Sequence, residues 1–123
     1  MLIAGRTPSE YFLASRWFLA AILLLAAASV VARLTGSFSV LVQYLQLVAF
    51  PLIAWAGWHA VRRLGFSLSQ AAIVGFVLSF GSHWTLLIFH GTAESLLLFV
   101  VNSTLFMAVA LGGAILAKAV RFP

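Results

Sequence analysis

The sequence predicts an all-α integral membrane protein in which four transmembrane helices form an antiparallel up-down bundle with short loops. The first reason is composition, because the chain of 123 residues is 64% hydrophobic and only 7% charged, whereas soluble domains carry ~25% charged residues. The second is the distribution of charge, since the basic residues flank long apolar runs instead of interrupting them. We expect one domain over residues 1–123.

The first fifteen residues are predicted to form an interfacial segment ahead of the first crossing. Thr7, followed by Pro8 and then by Glu10 three positions after Thr7, is typical of a capped helix start. Tyr11 and Trp17 are amphipathic aromatic residues of the kind that lie at a membrane–water interface. We therefore expect a brief amphipathic helix on the membrane surface over residues 1–15.

The first crossing is predicted at about residues 16–34, where an uncharged run lies between two arginines. The run is slightly shorter than the ~20 residues that usually span a bilayer, and snorkelling of Arg16 and Arg33 would extend it. A cleavable signal peptide is the alternative, because residues 26–29 (AAAS) resemble a cleavage site. We expect a membrane helix.

The other three crossings are predicted at about residues 38–61, 68–90 and 94–117. Pro51 lies at the centre of the second crossing and predicts a kink, because it leaves the carbonyl four residues earlier without its usual donor. Gly65 is the predicted end of that helix. A tight turn joins the third and fourth crossings, so we expect them to be antiparallel neighbours.

The distribution of lysine and arginine predicts the orientation. Six of the seven fall on one side of the membrane, and only Arg33 falls on the other. Because cytoplasmic loops are enriched in these residues, both termini are predicted to be cytoplasmic, and the acid-poor composition is compatible with a bacterial inner membrane. The six are Arg6, Arg16, Arg62, Arg63, Lys118 and Arg121.

A layer of polar residues is predicted in the outer half of the bundle. His83 lies about four residues, or ~6 Å, beyond the middle of the third crossing, and Asn102 reaches nearly the same depth on the fourth. Gln43, Gln46 and Ser82 fall at comparable depth. A polar side chain within hydrocarbon is by default a functional-site hypothesis, and interhelical hydrogen bonding is the structural alternative. We treat Gln43, Gln46, His83 and Asn102 as candidate ligand contacts.

Small residues spaced four apart predict where helices approach one another closely, because they let two backbones come together. The third crossing carries Ala71, Gly75 and Ser79 at this spacing, and the fourth carries Ala108 and Gly112. We expect both sets to be helix-packing surfaces.

The sequence does not indicate an enzyme. Without cysteine there is no disulfide, thiolate metal site or thiol nucleophile, and we find no catalytic set, metal cluster or phosphate-binding loop. The formal charge of +5 comes from basic residues that flank the apolar runs, as in membrane proteins. Nucleic acid is therefore not an expected partner. Internal haem ligation by two histidines fails, because His59 and His83 are ~20 Å apart along the membrane normal. A pigment or haem that contacts His83 alone stays open.

Two functions therefore remain open for this chain. One is a non-catalytic accessory subunit of a larger membrane complex, an energy-converting complex being one option, which acts by lateral packing against other membrane subunits and lipids. The other is a small oligomeric transporter or channel that uses the outer-half polar layer. The lack of a carboxylate in the middle of any apolar run disfavours proton-coupled exchange, and the short loops leave lateral surfaces as the main contact area.

Overall fold

The computed structural model describes the backbone over residues 2–36, 39–89 and 91–120. Within these ranges, the side chains at positions 39–43, 45, 46, 86, 87 and 89 lie outside the description. The described chain contains four α-helices, and an isolated antiparallel bridge between Ile3 and Arg6 precedes them. The helices are α1 (Pro8–Leu34), α2 (Ser39–Leu64), α3 (Leu68–Phe89) and α4 (Thr92–Ala119).

Helix α1 begins at the predicted cap. The Glu10 backbone N–H donates to Thr7 Oγ1 at 3.3 Å, and the Thr7 backbone N–H donates to the Glu10 carboxylate at 3.2 Å. The predicted capping box is therefore confirmed. The expected boundary between a short helix within residues 1–15 and the first crossing is wrong, because residues 8–15 form the first two turns of a helix that continues to Leu34. No glycine or proline after Pro8 interrupts it. An interfacial position of residues 1–15 stays a prediction.

Helices α1 and α4 are long and apolar enough to cross a membrane. Only 22% of the apolar stretch of each is buried inside the bundle, so most of each stretch is exposed or half-buried. This exposure separates them from the core helix of a soluble protein, whose apolar face is covered. Over their described residues, α2 and α3 are not identified as long and apolar enough to cross a membrane. A crossing by all four helices therefore stays a prediction.

Contacts between helix ends show that the helices alternate in direction. The side chain of Arg6, just before α1, reaches Gln70 in the first turn of α3. The side chain of Arg62 near the end of α2 donates to the Ala117 carbonyl near the end of α4 at 3.5 Å. We call this end of the bundle the basic end, and Arg121 lies outside the described residues. Its described basic residues are Arg6, Arg16, Arg62, Arg63 and Lys118.

The order of the helices around the bundle differs from their order along the chain. Helices α2 and α3 pack against each other and against both remaining helices. Helices α1 and α4 lie on opposite sides and do not touch within the described residues. The two helices that could span a membrane are therefore the outer pair, and each has one side free to meet lipid or a neighbouring protein.

Inside the bundle, glycine residues allow the helices to pack with their backbones close together. A Cβ atom placed on Gly57 of α2 would overlap the Ala110 carbonyl of α4, and one placed on Gly113 would overlap the Ala54 carbonyl of α2. The backbones of α2 and α4 are therefore in direct contact at two points. Gly75 of α3 approaches α4 in the same way, since a Cβ there would lie 2.5 Å from the Phe106 carbonyl oxygen.

Candidate functional site

The described side chains of the predicted polar layer lie on α3 and α4, in the half of the bundle away from the basic end. His83 and Asn102 are both half-buried. Asn102 Nδ2 donates to Ser82 Oγ at 3.3 Å, which links α4 to α3. The interhelical bond is therefore made with Ser82 rather than with His83. Gln43 and Gln46 lie on α2, but their side chains fall outside the described part of the chain.

The hydroxyl groups around this layer bond to their own helices. Each of four side chains donates to a backbone carbonyl three residues earlier, which satisfies the hydroxyl without a partner from another helix. These bonds explain how hydroxyl groups are accommodated among apolar side chains. They are Ser79 to Phe76 (2.5 Å), Ser82 to Ser79 (3.2 Å), Thr85 to Ser82 (2.7 Å) and Ser103 to Val100 (3.1 Å).

The imidazole of His83 lies against aromatic rings. Its centroid is 4.3 Å from that of Phe99 on α4. Phe99 in turn lies 5.3 Å from Phe80 and 6.1 Å from Phe76, both on α3. We call Phe76, Phe80 and Phe99 the aromatic ledge, and Phe80 is its exposed member at 51%. His83 Nδ1 is buried and has no hydrogen-bond partner within the described chain.

A second imidazole of this kind occurs at the other end of the bundle. His59 of α2 lies 5.7 Å from the ring of Phe18 on α1, and its Nδ1 is also buried without a partner among the described residues. Phe18 also meets Trp55 edge to face at 5.6 Å. Because His59 is near the basic end and His83 is in the opposite half, the two rings do not share one site.

A cluster of hydrogen bonds at the basic end, centred on Gln70, was not predicted from the sequence. Gln70 Oε1 accepts from Arg6 Nε at 3.0 Å and from the Ser67 backbone N–H at 2.9 Å. Gln70 Nε2 donates to the Ala4 carbonyl at 2.8 Å. One side chain therefore caps α3 and holds the segment that precedes α1, and we call these contacts the N-terminal clasp. The turn within it has positive φ at Ala4 (52°) and Gly5 (90°).

Aromatic and charged contacts complete the N-terminal clasp. The buried Tyr11 donates its hydroxyl to the Ile3 carbonyl at 2.6 Å and meets Phe66 edge to face at 5.9 Å. The Arg6 guanidinium lies 4.1 Å above the Phe66 ring and also forms a 3.0 Å ion pair with Glu10. The clasp therefore fixes the start of α1 to the loop between α2 and α3.

The two predicted small-residue surfaces face in different directions. Ala71, Gly75 and Ser79 of α3 are buried inside the bundle. Ala108 and Gly112 of α4 are exposed, and a Cβ placed on Gly112 would meet nothing within 4 Å. The glycine through which α4 contacts α2 is its neighbour Gly113. The stripe on α3 thus lies in the interior, and the stripe on α4 lies on the outer surface.

Among the described residues, no group of three or more histidine, aspartate or glutamate side chains is placed to hold a metal ion. The chemistry that the polar layer offers is hydrogen bonding by an imidazole and an amide, beside apolar rings. Comparison of the chain with protein-family models, with curated proteins and with solved structures finds no match.

Proposed function

We propose that this chain is a non-catalytic subunit of a larger membrane assembly. In this proposal all four helices cross the bilayer, both termini are cytoplasmic, and the chain acts by lateral packing against neighbouring subunits and lipid. The apolar outer sides of α1 and α4 support insertion, because only 22% of the apolar stretch of each is buried. The collection of basic residues at one end supports the orientation.

The observation that carries the proposal is the outward-facing position of Ala108 and Gly112. They lie about one turn apart on the exposed side of α4, between Leu105 and Leu116, which are 45% and 57% exposed. In a membrane, where lipid is as apolar as a leucine side chain, helices associate by close packing at small residues. Inside the bundle, Gly57, Gly75 and Gly113 serve this purpose. The same type of residue on the outside is suited to a helix from another chain.

The test is native-gel migration of the chain in mildly solubilised membranes from its own source. We expect the wild-type chain to migrate with a much larger complex and Ala108→Leu to migrate alone, because the larger side chain blocks close approach. Ala28→Leu is the matched control, since Ala28 is exposed on the opposite outer helix, α1. Migration of the wild-type chain as a monomer or small oligomer would overturn the proposal, and so would equal retention of both variants in the complex.

A small oligomeric transporter or channel is the alternative proposal. The polar layer between α3 and α4 would form its path, with His83 and Asn102 as the contacting groups. The hydroxyls of Ser79, Ser82 and Thr85 already donate to their own helices, so this layer supports lateral packing better than it supports a path. Solute flux through proteoliposomes that Asn102→Leu abolishes, with the chain still inserted, would favour the transporter.

A further inference from the structure

We propose that His83, beside the aromatic ledge, binds the carbonyl oxygen of a quinone headgroup within the membrane. This inference rests on the membrane insertion in the proposed function and adds a ligand to it. Three features carry it: the state of the His83 ring nitrogens, the exposed aromatic rings next to them, and the depth at which they lie.

The described hydrogen-bonding state of His83 concerns its Nδ1 atom. A neutral imidazole carries one N–H donor and one acceptor nitrogen. Nδ1 is buried and has no partner within the described chain, and a buried N–H without a partner is rarer and more costly than a lone pair without one. The proton therefore belongs on Nε2. This makes Nε2–H a hydrogen-bond donor, and no described residue accepts from it, so a bound ligand can supply the acceptor.

The aromatic ledge provides a surface for a flat, apolar ring. Phe80 is 51% exposed and lies 5.3 Å from Phe99, which lies 4.3 Å from the His83 ring. A continuous row of rings thus runs from the outer surface of α3 to the imidazole. Aromatic rings pack well against other planar rings in offset or edge-on geometry. A quinone headgroup has this shape and places carbonyl oxygens at its rim.

Depth distinguishes a quinone from a phospholipid as the source of the carbonyl. His83 lies about four to five residues past the middle of α3, which is ~7 Å along the helix. The hydrocarbon core extends ~15 Å from its midplane, and the ester carbonyls of phospholipids lie at its edge. Those esters would be ~8 Å too far out. A quinone carries its carbonyls on an apolar ring that can enter the hydrocarbon, so it can reach Nε2.

The experiment uses the full chain, labelled with ¹⁵N-histidine, in detergent micelles, with decylubiquinone as the probe. Imidazole ¹H–¹⁵N spectra report each ring separately, and His83→Phe assigns its signal. We expect a saturable shift of the His83 Nε2 resonance with no shift at His59, which has the same buried Nδ1 but lies near the basic end. The dimethyl ether of the corresponding quinol, which lacks carbonyl groups, should not produce the shift.

Affinity measured by calorimetry gives a second readout. One hydrogen bond of this kind corresponds to a roughly tenfold change in the dissociation constant. We expect His83→Phe to weaken decylubiquinone binding by about that factor, whereas His83→Gln, which keeps a donor, and His59→Phe retain the affinity. Equal or non-saturable shifts at both histidines, or equal affinities of the two phenylalanine variants, would overturn the inference.

The isolated chain is used in these titrations, so their outcome is independent of the native-gel result. A chain that binds decylubiquinone through His83 but migrates alone would overturn the subunit proposal and leave the quinone site standing. A chain that co-migrates with a large complex but shows no His83 shift would do the reverse.

Discussion

Polar side chains form different kinds of hydrogen bond at the two ends of this bundle. At the basic end they join distant parts of the chain, as Gln70 does when it bonds to Ala4 and Arg6. In the opposite half they mostly bond within one helix, as Ser79 and Thr85 do. Hydrogen bonds between distant segments are therefore concentrated at the basic end, and the interhelical bond described in the opposite half is the one from Asn102 to Ser82.

A second kind of contact between helices is close backbone packing through glycine, which lies between the middle of the bundle and the basic end. Gly57 and Gly113 bring α2 and α4 together, and Gly75 brings α3 against α4. Close approach increases the dispersion contacts between helices, which do not depend on water being excluded. The comparison teaches that close packing joins the helices along the inner part of the bundle, and that polar contacts add to it where the segment before α1 meets the start of α3.

The largest expected effect comes from two adjacent glycines of α4. Gly113→Ala places a methyl group on the Ala54 carbonyl, so α2 and α4 must separate, and we expect a loss of about 3 kcal/mol in the free energy of unfolding. Gly112→Ala meets open space and should be neutral or raise stability by up to about 1 kcal/mol. Unfolding of the purified chain in mixed micelles measures both. Equal effects at the two positions would show that packing does not hold the helices together.

The N-terminal clasp should give the next largest effect. Gln70→Ala removes the bonds to Ala4, Arg6 and Ser67, and at about 0.5–1.5 kcal/mol for each bond we expect a loss of about 2 kcal/mol. Gln70→Glu keeps the acceptor oxygen for Arg6 and Ser67 but loses the donor to Ala4, so its effect should be smaller.

A double-mutant cycle with Arg6→Ala sharpens this prediction. Because Arg6 and Gln70 share a bond, their losses should be non-additive. Additive losses would mean that the clasp does not act as one unit, and that the basic end is also held mainly by packing.

Features that depend on neighbouring residues could be predicted from the sequence. The capping box of Thr7 and Glu10 is confirmed because its two partners are three residues apart. The expected helix boundary near residue 15 was wrong because it was inferred from polar residues such as Glu10 and Arg16. They do not end a helix, and nothing after Pro8 does so before Leu34.

Features that depend on distant residues could not be predicted. The Arg6–Gln70 bond joins positions 64 residues apart. The sequence also could not show whether Gly112 or Gly113 faces the interior, because a helix that could face lipid is apolar on its inner and outer sides alike. For the candidate site, depth alone suggested that His83 and Asn102 lie close together. It could not show that Asn102 bonds to Ser82 or that His83 lies against Phe99.

The smallest expected effect tests the hydrogen bond that joins α3 and α4 in the polar layer, among the described residues. Ser82→Ala removes the acceptor of Asn102 Nδ2, whereas Ser79→Ala removes only a bond within α3. Interhelical bonds in membrane bundles contribute ~0.6 kcal/mol on average, so Ser82→Ala should lower the free energy of unfolding by about that much more than Ser79→Ala. A difference of several kcal/mol would mean that polar contacts fasten this half as they fasten the basic end, and the contrast between the two regions would fail.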